Sequence, residues 1–155
     1  MSDWLEKFIT ESNRIEGILR PPLDTEGAAH GRLLVLEELT LSEVSLFVSS
    51  IQPGAVIRDK KGLDVRVGNF YPDAGGPAIP KLLDLILWDM NKGVNSPWEL
   101  HLKYENLHPF TDGNGRSGRA LWLWQMLRSK EDDRAKHLGF LHTFYYQTLK
   151  NSSAT

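Results

Sequence analysis

The chain has 155 residues, no cysteine, and a net charge of −2 from 18 Lys plus Arg against 20 Asp plus Glu. With 41% hydrophobic and 25% charged residues it reads as one globular domain, long enough to bury a core of its own. These values exclude a disulfide framework, a thiolate metal site and a cysteine nucleophile, and argue against nucleic acid as a partner held by bulk charge.

Taken in chain order, the apolar spacing is mostly helical. Residues 2–15 place Trp4, Leu5, Phe8 and Ile15 near one face, with Gly17 as the stop. Pro21-Pro22 breaks the chain, and a second helix is expected over residues 25–38, with Leu33, Leu34, Leu36 and Leu39 as its apolar side. Thr40 or Ser42 caps a third over 42–51, ended by Pro53-Gly54. Residues 56–70 change period. Val56-Ile57-Arg58 and Leu63-Asp64-Val65-Arg66-Val67 alternate as strands do, and Asp59-Lys60-Lys61-Gly62 supplies a turn, so a small β-hairpin is expected. A loop rich in Gly and Pro covers 71–80.

Helices are then expected over 80–92, over 97–107 with Ser96 as cap and Pro97 at the first position, over 115–128, and over 138–149. Residues 120–127 are apolar nearly all round, which predicts a central helix. Trp88, Trp98, Trp122 and Trp124 read as core, and the tail from 151 to 155 as frayed. The fold class is all-α with one hairpin. No apolar run nears the roughly 18–20 residues that span a bilayer. The start, Met1-Ser2-Asp3-Trp4-Leu5-Glu6-Lys7, is acidic where a signal peptide is basic, so no membrane partner and a cytoplasmic location are expected.

One segment concentrates chemistry, His108-Pro109-Phe110-Thr111-Asp112-Gly113-Asn114-Gly115-Arg116-Ser117-Gly118-Arg119. Gly113, Asn114 and Gly115 tolerate left-handed backbone angles, and before a helix they can aim successive N–H groups at an anion. Arg116 and Arg119 are one helical turn apart and can hold further phosphate groups. Asp112 is a hard oxygen ligand suited to Mg²⁺, which takes one or two carboxylates plus substrate phosphates. His108 offers an imidazole, a side chain that can accept a proton. A polyphosphate cradle, a metal ligand and a base are what nucleotidyl or phosphoryl transfer to a hydroxyl requires. His101, two turns or about 10 Å before His108, cannot share an ion with it and reads as structural. His30, His137 and His142 read as polar groups of surface or core, in no zinc spacing.

The segment resembles the signature of Fic (Fido) domains, His-x-Phe-x-Asp/Glu-Gly-Asn-Gly-Arg-x-x-Arg, with every specified position filled. Average residue frequencies put a chance match at on the order of 10⁻⁸. The resemblance implies a protein adenylyltransferase. His108 would deprotonate a Ser, Thr or Tyr hydroxyl of an unidentified target protein, and AMP would pass to it from ATP. Asp112 would hold Mg²⁺. Gly113, Asn114 and Gly115 would form the anion hole, Arg116 would add a phosphate contact, Arg119 would hold the γ-phosphate, and Phe110 would anchor the loop in the core. The hairpin would be the flap that docks the target, through Leu63, Asp64, Val65, Arg66, Val67 and Gly68.

Ser12-Asn13-Arg14-Ile15-Glu16-Gly17 also resembles the inhibitory pattern of such proteins, Ser/Thr-x-x-x-Glu-Gly/Asn. It implies that residues 1–20 form an inhibitory segment packed on a catalytic unit of residues 21–155. Ser12, Glu16 and Gly17 would carry the brake, with Glu16 taking Arg119 from the γ-phosphate. A homodimer that stabilises this brake is compatible with the pattern. Removal of AMP, transfer of UMP, phosphocholine or phosphate, and a non-catalytic ATP sensor are the alternatives the same resemblance leaves open.

Overall fold

The computed structural model describes residues 1–129, 135–137, 139–141 and 143. Six helices are defined among them: α1 Asp3–Ile15, α2 Asp24–Leu34, α3 Leu41–Ile51, α4 Ala78–Lys92, α5 Pro97–Leu107 and α6 Asn114–Leu127. The helix expected over 138–149, His142 and the tail from 151 to 155 lie, wholly or in large part, outside the described residues.

Local chemistry sets most of the boundaries. α1 stops where Gly17 turns left-handed, at φ +79°. Thr40 caps α3 by accepting the Glu43 N–H at 3.2 Å, and Ser96 caps α5 by accepting that of Glu99 at 3.2 Å. α2 is shorter than its sequence suggests. Beyond Leu34 the backbone is captured by other elements: the Leu36 carbonyl accepts Trp124 Nε1–H at 3.0 Å, and Leu39 exchanges two hydrogen bonds with the Asn91 side chain.

α6 is the central element, buried from Arg116 to Met126. On one side it packs with α2, α3, α4 and α5 through residues such as Val44, Phe47, Leu83, Leu100, Tyr104 and Leu121. On the other, Leu5, Phe8 and Ile9 of α1 pack on Trp122, Leu123 and Met126. Each of those α1 side chains contributes about 1.5–3 kcal/mol by leaving water. Trp122 and Trp124 are core as expected, but Trp88 is 56% exposed on α4 and Trp98 is half-buried.

The expected hairpin does not form. Among the described residues no ladder joins 56–58 to 63–67. The bridges are Ile57 to Phe110 and Val67 to Phe70. The first arm is used by the motif loop instead: Arg58 N–H donates to the Pro109 carbonyl and Thr111 N–H to that of Val56, both at 2.9 Å. The second arm is held through a side chain, because the fully buried Arg58 guanidinium donates to the carbonyls of Leu63 and Asp73. Among the described residues no helix is long and apolar enough to cross a membrane.

Candidate active site

His108 follows the last residue of α5 in a left-handed conformation, φ 50° and ψ 60°, rare for a residue with a Cβ. Arg58 over-determines it: Nε donates to the His108 carbonyl at 2.7 Å and Nη2 to that of Leu107 at 2.9 Å. The buried cation thereby satisfies the open carbonyls at the helix end. His108 Nδ1 lies 3.0 Å from the Glu105 carbonyl, so Nδ1 carries the proton and donates it there. Nε2 is left as the basic nitrogen.

The loop from His108 to Asn114 is fixed from inside. Phe110 is buried, its N–H donates to Asn114 Oδ1 at 2.9 Å, and Asn114 Nδ2 returns a bond to its carbonyl at 2.8 Å. Tyr104 OH and Ser117 Oγ lie 2.6 Å apart, and Ser117 Oγ donates to the Gly113 carbonyl at 2.7 Å. Gly113 is left-handed, at φ +77°, and accepts the first bond of α6, from Ser117 N–H. The N–H groups of Asn114, Gly115 and Arg116 precede that bond and make the positive end of the helix. Thus Asn114 contributes its backbone to the anion nest, while its side chain holds the loop shut.

The motif arginines diverge. Arg116 reaches towards α2 and α3, donating to Gln52 Oε1 at 2.6 Å and the Ile51 carbonyl at 3.3 Å, with Glu26 Oε2 3.6 Å away. Arg119 turns to α1. It donates to Ser12 Oγ at 2.8 Å, to the Ser12 carbonyl at 2.9 Å and to Glu16 Oε1 at 2.7 Å. Glu16 lies over Gly115, and any Cβ at Gly115 would strike its carboxylate. Gly17, by ending α1 there, leaves Glu16 at the mouth of the nest.

Glu16, Glu105, His108, Asp112, Gly113, Asn114, Gly115 and Arg116 are among the residues that line a cavity of about 700 Å³. The volume suits a nucleotide-sized ligand. Asp112 is exposed at its rim, with Oδ1 accepting the Gly113 N–H at 2.8 Å. No cluster of three metal-ligating residues occurs among the described residues. One hard oxygen beside an anion nest therefore fits a cation whose shell is completed by ligand phosphates and water. Of the expected flap residues, Val65, Arg66 and Val67 reach the cavity. Leu63 gives its carbonyl to Arg58, Asp64 accepts the Gly75 N–H at 2.8 Å, and Gly68 accepts from Arg66 Nε.

Sequence reasoning missed four of these side chains. Glu26, buried, is the carboxylate on which Arg20, Asn13 and the Leu23 N–H converge, and it faces Arg116. Its only sequence signal is its place as the third residue of a helix. Gln52 and Arg58 had no signal at all. Glu105, one turn before His108, was visible as a helix neighbour of both His101 and His108. His101 itself is structural: it is buried, with Nδ1 3.2 Å from the Gly118 carbonyl.

Residues 77–126 match the Fic/DOC family. Over 91 residues the chain is 35% identical to Protein adenylyltransferase fic-1 of Caenorhabditis briggsae, which covers 50% of this chain and 18% of that protein's length. No solved structure matches. The matched stretch runs from Pro77 to Met126 and takes in the nest at the start of α6, so the segment that builds the cavity is similar to that of Fic/DOC proteins.

Proposed function

We propose that this protein is an adenylyltransferase that moves AMP from ATP to a Ser, Thr or Tyr hydroxyl of a target protein, restrained by its own Glu16. The observation that carries the reading is the meeting of three groups in one cavity: the Nε2 side of His108, the open N–H groups of α6, and Asp112. The name of the nematode relative supports the choice of AMP as the transferred group.

In this reading the polyphosphate lies on the Asn114, Gly115 and Arg116 N–H groups, where backbone donors need no reorganisation as charge develops. His108 Nε2 takes the proton of the target hydroxyl. The freed oxygen attacks the α-phosphorus, the bond to the β-phosphate oxygen breaks, and pyrophosphate departs. Asp112 would hold Mg²⁺, which when bound supplies positive charge against the polyphosphate. Arg58 keeps His108 in its left-handed pose throughout. Val65 and Arg66, which enter no bridge, offer backbone on which an extended target segment can pair, whereas Val67 is closed by its two bonds to Phe70.

Glu16 holds the guanidinium that would meet the terminal phosphate. A charge-assisted pair of about 1.5–3 kcal/mol corresponds to roughly 10- to 100-fold occlusion, enough to restrain yet reversible. Location of Glu16 inside the cavity also suits the reverse reaction, with its carboxylate orienting water against a target-bound AMP. Position-specific labels separate the chemistries. Glu16→Gly protein given Mg²⁺ and ATP should incorporate label from the α-phosphate into protein. Label from the γ-phosphate instead would mean phosphate transfer. Bound ATP with no incorporation would mean a sensor. Loss of AMP removal in Glu16→Gly without any gain of transfer would mean that the protein removes AMP.

A further inference from the structure

Glu105 has no part in the chemistry above, yet it lines the same cavity, on the wall made by α5. Its side chain is 29% exposed, but Oε1 is sealed and has no hydrogen-bond partner. That oxygen is shut against α6, where a Cβ on Gly118 would lie 2.6 Å from it, and His101 Nε2 stands 3.8 Å away. An ionised carboxylate so placed would keep one oxygen buried without a donor, which penalises the charged form. A carboxylic acid fits the geometry better. Oε1 is then a carbonyl oxygen that tolerates burial, and the accessible oxygen, Oε2, carries a proton towards the cavity.

We infer that Glu105 is a further phosphate-binding residue of this cavity: its protonated carboxyl donates to an oxygen of the polyphosphate, and the nucleotide is taken up together with a proton. The inference rests on the nucleotide reading of the site and adds a residue and a pH dependence to it. The charged and titratable groups around Glu105 agree. From the end of α1, Glu16 disfavours its ionised form. On α6, Arg119 favours it, with Arg116 further along the same wall. His101 lies on its own helix, His108 just beyond, and Asp112 and Arg66 at the rim. Burial dominates, helped by Glu16 and opposed by Arg119, and pushes the carboxyl up to about 7. A polyphosphate in place of Glu16 brings more negative charge than the carboxylate it displaces, so the proton is held more tightly in the complex. Above neutrality the ionised carboxylate repels the ligand. Binding therefore weakens as pH rises, which is the sign expected when the bound state holds the extra proton.

The test is equilibrium binding of ATP, with excess Mg²⁺ so that the nucleotide keeps one charge, from pH 6 to 9 by calorimetry in buffers of different ionisation enthalpy. Glu16→Gly protein should bind with proton uptake, its Kd rising about tenfold across the range, as a one-unit pKa rise on binding requires. The double variant Glu16→Gly/Glu105→Gln keeps a donor without a charge, and should lose both the uptake and most of the slope. An unchanged slope in the Gln variant overturns the assignment of Glu105 and leaves the nucleotide reading standing. No ATP binding at any pH overturns that reading and this inference with it. Should the Gln variant fail to fold, the ¹³C carboxyl resonance of Glu105 in Glu16→Gly protein decides. A midpoint above the ordinary carboxylate range that rises further with ATP supports the proposal, and one within that range overturns it.

Discussion

Ser12 and Glu16 share one guanidinium, but they do not hold it equally. The Ser12 hydroxyl accepts from Arg119 Nε inside the protein, whereas the Glu16 side chain is 40% exposed. Glu16 can therefore leave for water while Ser12 keeps α1 docked. Removing Glu16 should release activity with little loss of stability. Ser12→Ala should do the reverse in proportion: it leaves part of a buried cation unpaired, lowering stability by about 1–3 kcal/mol and raising labelling only severalfold. Thermal melting and labelling rate, measured on both variants, check the pair. A Ser12→Ala protein released as fully as Glu16→Gly would contradict this division. Arg58 is the opposite case, a residue with no exposure that donates to the carbonyls of Leu63, Asp73, Leu107 and His108. Arg58→Ala orphans them and should cost at least about 3 kcal/mol in denaturant unfolding.

At the scale of elements, α3 shows how far capping carries the fold. Thr40→Ala removes the hydrogen bond to Glu43 N–H and should lower stability by about 1 kcal/mol, read as a drop in unfolding midpoint at unchanged slope. A neutral result would mean that tertiary packing, not the cap, sets that end. Elements of this kind were legible in the sequence. Thr40, Ser96, Pro97 and Gly17 act within a few residues of themselves, and the apolar run of α6 announces burial whatever surrounds it. What was illegible depends on partners distant in the chain. Alternation at 56–67 says extended backbone, but not that 56–58 would pair with residues around Phe110 instead of with 63–67. α2 ends early because Trp124 and Asn91 claim its continuation. Trp88 looks like core by type, yet lies on the outer side of α4. In the cavity, the motif spacing pointed to His108, Asp112, Gly113, Asn114, Gly115 and Arg116, all of which line it, while Arg119 turns to Ser12 and Glu16. Glu26, Gln52, Arg58 and Glu105 surround them from positions that carry no motif.

At the scale of the whole molecule, two of the described histidines, His30 and His101, are buried and neutral and bear on stability. Burial dominates at both, opposed at His30 by the Glu26 carbonyl and at His101 by that of Gly118, and depresses each to about 4. The unfolded chain protonates them near 6.5, so below that pH it binds more protons than the folded chain. Their contribution is complete above 6.5 and is lost as pH falls towards 4, on the order of 3 kcal/mol for each. Urea unfolding between pH 7.5 and 4 should show that decline, reduced by the opposite gain from Glu105, whose raised carboxyl keeps its proton in the folded chain, and His30→Gln should flatten part of it. A pH-independent stability over this window would contradict the burial of charge-sensitive imidazoles at both places.

The central claim is that a polyphosphate on the start of α6 and a hydroxyl at His108 Nε2 react in one cavity, once Glu16 stands aside. Intact-mass spectrometry of purified Glu16→Gly protein after incubation with ATP and Mg²⁺ tests it directly. The account predicts a gain of one AMP per modified chain, absent when His108→Ala is added. An unmodified Glu16→Gly protein that also labels no partner in a lysate, or a gain that survives His108→Ala, would contradict it.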